Sequence, residues 1–224
     1  VITTALNGMF MPQISRIFTK ENHASRLNNL IVKVGRFQFG LHGLIVTGFL
    51  LVGRDFICLW LDESYAIAYY CILLVTVPNL FYYSLQIANT AMMMKNHVKI
   101  QAITNVVVGV INVVLSYILA LHYGALGACI SIFIVYMIRN IGYFIAYRKF
   151  LNIDIVRVFK ECYLKISIAM LITIVLGIGL NYILSACTWS YVIVKAGIII
   201  AVYGAFVFLL GLKKTEKQQI YNIS

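Results

Sequence analysis

Three apolar stretches of this chain carry polar side chains at helical spacing. In 100–121, Gln101, Asn105, Gly109, Asn112 and Ser116 recur at steps of three or four, so they share one helix face. In 66–94 the same steps join Asn79, Tyr82 or Tyr83, Gln86, and Asn89 or Thr90. In 125–147 they join Tyr136, Arg139, Tyr143 and Tyr147, with Asn140 alongside. Amides and phenols in rows can bind a hydroxyl-rich guest, or each other. At membrane depth such residues face other helices or a wet cavity. For any single Asn or Gln, an interhelical hydrogen bond worth about 0.6–2 kcal/mol is the simpler account. Three striped helices in succession point to a shared hydrated cavity.

Arg139 is the sharpest of these residues. It lies about nine residues, or ~13 Å of helix, from the basic pair Arg148–Lys149, too deep for easy snorkelling. A buried cation demands an anion, and the spans show no carboxylate in their cores. Its partner is a set of backbone carbonyls, a carboxylate elsewhere in a longer protein, or an anionic substrate. His42, beside Gln38, reads as a packing residue. Lys195, near the end of its helix, reads as snorkelling. Both are weaker substrate-binding candidates than Arg139, Gln86, Asn89, Asn105, Asn112 and Tyr143.

The elements that must position these residues are six apolar stretches: 37–60, 66–94, 100–121, 125–147, 164–184 and 191–212. Each reaches the ~20 residues needed to cross ~30 Å of hydrocarbon as a helix. The chain is 62% hydrophobic and 11% charged. The fold class that follows is an all-α, polytopic membrane helical bundle. Positive charge falls in alternate gaps. Arg16, Lys20, Arg26, Lys33 and Arg36 precede the first stretch, and Lys95 and Lys99 follow the second. Arg148, Lys149, Arg157, Lys160 and Lys165 follow the fourth, and Lys213, Lys214 and Lys217 end the chain. The positive-inside rule puts these gaps and the C-terminus in the cytoplasm. The net charge of +11 therefore speaks for orientation and anionic headgroups rather than nucleic acid.

Residue by residue, 1–14 reads as the end of a transmembrane helix that stops at Pro12. The chain opens inside an apolar run, as the C-terminal part of a longer protein would. The segment 15–36 reads as a cytoplasmic amphipathic stretch, with Ile17, Leu27, Leu30, Ile31 and Val34 toward the headgroup boundary. Four spans follow in 37–147, with Gly40, Gly43, Gly48 and Gly53 favouring close packing in the first and Pro78 kinking the second. A second amphipathic cytoplasmic linker is 148–163, with Arg157 and Glu161 as an i,i+4 pair. A final hairpin, 164–212, is nearly all aliphatic, with Gly197, Ala201 and Ala205 as a packing ridge. A cytoplasmic tail, 213–224, ends the chain.

Several chemistries are absent from the pattern. There is no phosphate-binding GxxxxGK[ST] loop, HExxH site or GxSxG elbow. The five cysteines have no metal-ligand spacing and read as packing residues; only Cys58 and Cys187 fall near the outer face, where a disulfide would have to form. Asp62 and Glu63, the one adjacent carboxylate pair, read as a solvated outer turn. We expect no cofactor and no metal. A membrane enzyme, such as a polysaccharide polymerase or glycosyltransferase, would need a larger extramembrane loop than these gaps provide.

Three strings carry a resemblance. In chain order, MFMPQISRIF from Met9, FICLWLDESYAIAYYCILLV from Phe56 and YGALGACIS from Tyr123 resemble elements of polysaccharide and O-antigen flippases. These belong to the multidrug/oligosaccharidyl-lipid/polysaccharide exporter superfamily. The likeness covers essentially the whole chain through motifs of moderate specificity. It departs at Asp62, where the family usually has glycine. The resemblance implies the C-terminal lobe of a MATE-like two-lobed transporter, a carrier and not an enzyme. It implies alternating-access translocation of an undecaprenyl-pyrophosphate-linked oligosaccharide across a bacterial inner membrane, with proton or sodium coupling. The partners it implies are that substrate, membrane lipids, and polysaccharide polymerase and chain-length machinery. A cation-coupled multidrug exporter of the same superfamily is the alternative, and it would need membrane-embedded carboxylates.

Overall fold

The structure, a computed structural model, describes residues 2–19, 23–183 and 188–211, and all its regular elements there are helical. Helix α1 is Ile2–Phe18, and α2 is His23–Trp60. A 3-10 turn, Glu63–Tyr65, leads to α3, Ile67–Ser84, and α4, Gln86–Met94. The helical run Val98–Leu151 breaks at Gly124 into two arms, α5 (98–123) and α6 (125–151). Helix α7 runs from 155 to 183 through a π-helical segment, Phe159–Leu164. Helix α8 is Trp189–Phe206 and continues as a π-helical turn, Val207–Gly211. Among the described residues, five helices are long and apolar enough to cross a membrane; one of these is the folded Val98–Leu151.

Several boundaries differ from the sequence reading. Helix α1 continues past Pro12 to Phe18. The stretch 23–36 is no separate surface segment: it is the first third of α2, about 57 Å long at 1.5 Å per residue. No turn residue separates Arg36 from Phe37, so the helix has no reason to stop. Leu27, Leu30, Ile31 and Val34 are buried in the protein core beside α4 and α7, not at a headgroup boundary. Likewise 155–163 joins the following span without interruption, and Val158 and Cys162 enter the same core.

Helix α3 continues through Pro78; the interruption in 66–94 lies at Leu85. There the Leu85 N–H turns back to the Tyr82 carbonyl at 3.3 Å. Ser84 Oγ bonds the Phe81 carbonyl at 2.7 Å and Tyr163 Oη at 2.8 Å, which ties the break to α7. The α5–α6 reversal needs glycine twice. Gly124 sits at φ 58°, ψ −139°, a region closed to side chains. A Cβ on Gly127 would run into the Leu119 carbonyl on the other arm.

Helix α2 is the pillar of the bundle. Tyr69 Oη donates to its Leu50 carbonyl, Asn181 Nδ2 to Leu51, Tyr203 Oη to Gly40 and Cys162 Sγ to Val32. Asn28 stitches the α6–α7 corner to α2: its Nδ2 donates to the Asn152 carbonyl, and its Oδ1 accepts from the Asp154 N–H. Of the α2 glycines, Gly43 lies against Tyr203 Oη and Met170, and Gly35 against the Ser84 carbonyl. Gly48 faces open space. The ridge Gly197, Ala201 and Ala205 also points outward; α8 packs instead through Val192, Lys195, Ile199 and Tyr203.

Asp62 sits at φ 104° and ψ 160°. Glycine takes that conformation freely and other residues under strain. The Asp62 carboxylate offsets part of the cost by accepting the Glu63 N–H at 2.6 Å.

Candidate functional site

Arg139 and the rings around it make the most unusual polar arrangement in the bundle. Helix α6 presents Tyr136 one turn before Arg139 and Tyr143 one turn after it, as the stripe predicts. Helix α3 supplies Tyr82 from across the interface. The guanidinium carbon lies 4.1 Å from the Tyr136 ring centroid and 4.5 Å from that of Tyr82. Contacts of this kind contribute about 0.5–2 kcal/mol, more as water is removed. They address the faces of the cation and leave its edge. Arg139 Nε and Nη2 are buried with no hydrogen-bond partner among the described residues. A buried donor left open costs about 1–3 kcal/mol, and more when charged. The cage therefore holds the cation while its hydrogen-bonding edge stays unused.

The remaining stripe residues engage one another. Tyr143 Oη donates to Asn105 Oδ1 at 2.9 Å, joining α6 to α5. Gln101 Nε2 donates to the carbonyl and to the side-chain oxygen of Asn89, joining α5 to α4. Asn89 Nδ2 reaches Tyr82 Oη at 3.3 Å, which links this chain of bonds to the Arg139 cage. Asn140 Nδ2 donates to the Pro78 carbonyl at 2.7 Å and pins α6 to α3. The simpler account, interhelical hydrogen bonding, thus applies to most of the amides. A crevice lined by Phe81, Tyr82, Leu85, Asn140, Tyr143, Phe144 and Tyr147 measures about 10 Å³. That is room for about one water, not for a sugar.

The other candidates lie outside this cluster. Asn112 Oδ1 accepts from Ser131 Oγ at 3.1 Å, nearer the Gly124 turn. Gln86 keeps a buried Oε1 without a partner among the described residues. His42 stacks on Tyr83 with centroids 4.8 Å apart, and its Nδ1 lies 2.9 Å from the Gln38 carbonyl. Gln38 itself is 1% exposed, with both amide atoms unpartnered among the described residues.

Lys195 corrects the sequence reading most clearly. It does not snorkel: it is 2% exposed, and its Nζ lies 2.8 Å from Asp55 Oδ2. Asp55 belongs to α2, within the apolar stretch 37–60. A carboxylate does therefore enter a span, and it is paired. Reasoning along one helix at a time could not supply this pair, because 140 residues separate its members. The same holds for Glu161. Its expected partner Arg157 is present at 3.1 Å, and Arg36 of α2 adds a second contact at 3.6 Å. Cys58, Cys71, Cys129 and Cys162 are free thiols, and Cys187 lies outside the described residues.

No known protein family, no characterised protein and no solved structure matches this chain.

Proposed function

We propose that this chain is the C-terminal lobe of a two-lobed membrane carrier. Its substrate is an undecaprenyl-pyrophosphate-linked oligosaccharide, moved across a bacterial inner membrane by alternating access. The observation that carries the reading is Arg139: a guanidinium held between two phenol rings, with two buried nitrogens open to an acceptor. Such a group answers the planar, oxygen-rich edge of a phosphate, to which arginine donates two bonds at once. The sequence resemblance supports the same substrate class. The aliphatic outward faces of α7 and α8 suit a polyprenyl chain. Leu171, Val175 and Leu176 on α7, and Ile193, Val194 and Ile200 on α8, are all exposed.

A sugar-phosphate head is far larger than the crevice beside Arg139. In this reading the head is received between this lobe and the rest of the carrier, with Arg139 on the wall, as expected of inter-lobe transport sites. The competing exporter reading needs a free carboxylate at membrane depth to couple a cation. Asp55 is committed to Lys195, so that reading draws no support from it.

The test is Arg139→Ala in the complete gene at its native locus. Surface polysaccharide should be lost while the protein remains in the membrane fraction at normal abundance. Normal surface polysaccharide in that strain would defeat the proposal.

A further inference from the structure

We propose that the corner between α6 and α7 is a binding site for an anionic phospholipid of the surrounding leaflet. Charge accounting at the basic end of the bundle motivates it. Asp154 spends its carboxylate on the Arg157 N–H, capping α7. Glu161 is shared by Arg36 and Arg157. With those carboxylates committed, Arg148 and Lys160 have no ion-pair partner among the described residues. Both are exposed.

The same corner exposes apolar surface in register with these cations. Val156, Lys160 and Leu164 follow one another at steps of four along α7, so they share a face. Val156 is 63% and Leu164 59% exposed. Phe159, 48% exposed, packs on Phe144 of α6 with ring centroids 5.7 Å apart. Arg148 stands one turn beyond Phe144 on the same face of α6. Two cations thus flank an aromatic pair and an open aliphatic strip. An amphiphile with a negative head and a hydrocarbon tail matches both halves of this surface. Soluble anions would leave the apolar strip in water, and a zwitterionic lipid would leave the cations without a net counter-charge. Each Lys or Arg beside an anionic headgroup adds a comparable increment to binding, so the pair should act together.

The experiment uses the complete protein, reconstituted in vesicles of equal phosphatidylglycerol and phosphatidylcholine, re-extracted in mild detergent, and analysed for retained lipid by mass spectrometry. The wild type should retain phosphatidylglycerol over phosphatidylcholine by on the order of tenfold. The double variant Arg148→Ala/Lys160→Ala should lose that preference, whereas Arg148→Lys/Lys160→Arg should keep it. Equal retention of the two lipids by the wild type would overturn the proposal, as would an unchanged preference in the alanine variant. Self-association through this face with no lipid retained would assign it to a second copy of the chain and equally overturn it. The readout involves no lipid-linked sugar, so it stands or falls apart from the transport reading.

Discussion

The two sides of this bundle treat buried charge in opposite ways. On the side where α2 meets α7 and α8, every cation brought into the protein finds a carboxylate: Lys195 takes Asp55, and Arg36 takes Glu161. Carbonyls of α2 there accept bonds from Asn181, Tyr203 and Cys162. On the side where α3 meets α6, the half-buried Arg139 has aromatic rings and, among the described residues, no acid. Its neighbours Tyr143, Asn105, Gln101 and Asn89 satisfy one another and leave it out. Pairing closes a site, whereas caging keeps it open. The first side is a scaffold, and the second is where we propose that a guanidinium meets a guest.

The largest effect should come from breaking the scaffold pair. Lys195→Ala leaves Asp55 against an apolar helix face. A fully buried pair would cost about 3–5 kcal/mol when broken. The Asp55 side chain is 31% exposed, so about 1–3 kcal/mol is the expected loss. Thermal unfolding of the purified protein in detergent checks it. Asp55→Asn/Lys195→Met should recover most of that loss. A single variant melting like the wild type would remove the contrast between the two sides.

A loss of similar size is expected from Gly127→Ala at the α5–α6 crossing. The new methyl meets a backbone carbonyl that cannot swing aside, which costs about 1–3 kcal/mol. Gly197→Ala is its control, since nothing lies within 4 Å of a Cβ there. Equal melting of the two glycine variants would show that the hairpin is looser than described. The smallest effect belongs to Tyr143→Phe, which removes one bond to Asn105 for about 0.6–2 kcal/mol. A loss well beyond that range would mean that the polar stripe is a cooperative network and not a set of separate links.

The helices and the stripes were legible in the sequence because they rest on local periodicity. The Arg157–Glu161 pair came from the same local rules. What escaped was every fact that joins distant residues. Asp55 lies near the end of the 37–60 stretch, where a charge gives no sign of a partner inside the bundle. Only the position of α8 shows it facing Lys195. The 15–36 stretch read as an interfacial segment because a basic amphipathic helix has the same pattern whether its apolar face meets lipid or protein. Arg139 was legible as a cation within a span, which the structure leaves half-buried, and Tyr136 as its neighbour one turn away. Tyr82, the other wall of the cage, is on a different helix, so spacing gave no sign of it. Nor does periodicity tell an amide that bonds a guest from one that bonds the next helix, and here Asn89, Asn105 and Asn112 bond helices.

The central claim is that Arg139 is left open for an anionic lipid-linked substrate. Transbilayer movement of a fluorescent undecaprenyl-pyrophosphate oligosaccharide, driven by the complete protein in proteoliposomes, tests it most directly. Wild-type protein should move the lipid, and Arg139→Ala should slow it by at least tenfold, about 1.4 kcal/mol or more of lost interaction. Arg139→Lys should fall between, since it keeps the charge without the two-pronged edge. Movement at the wild-type rate by Arg139→Ala would contradict the account.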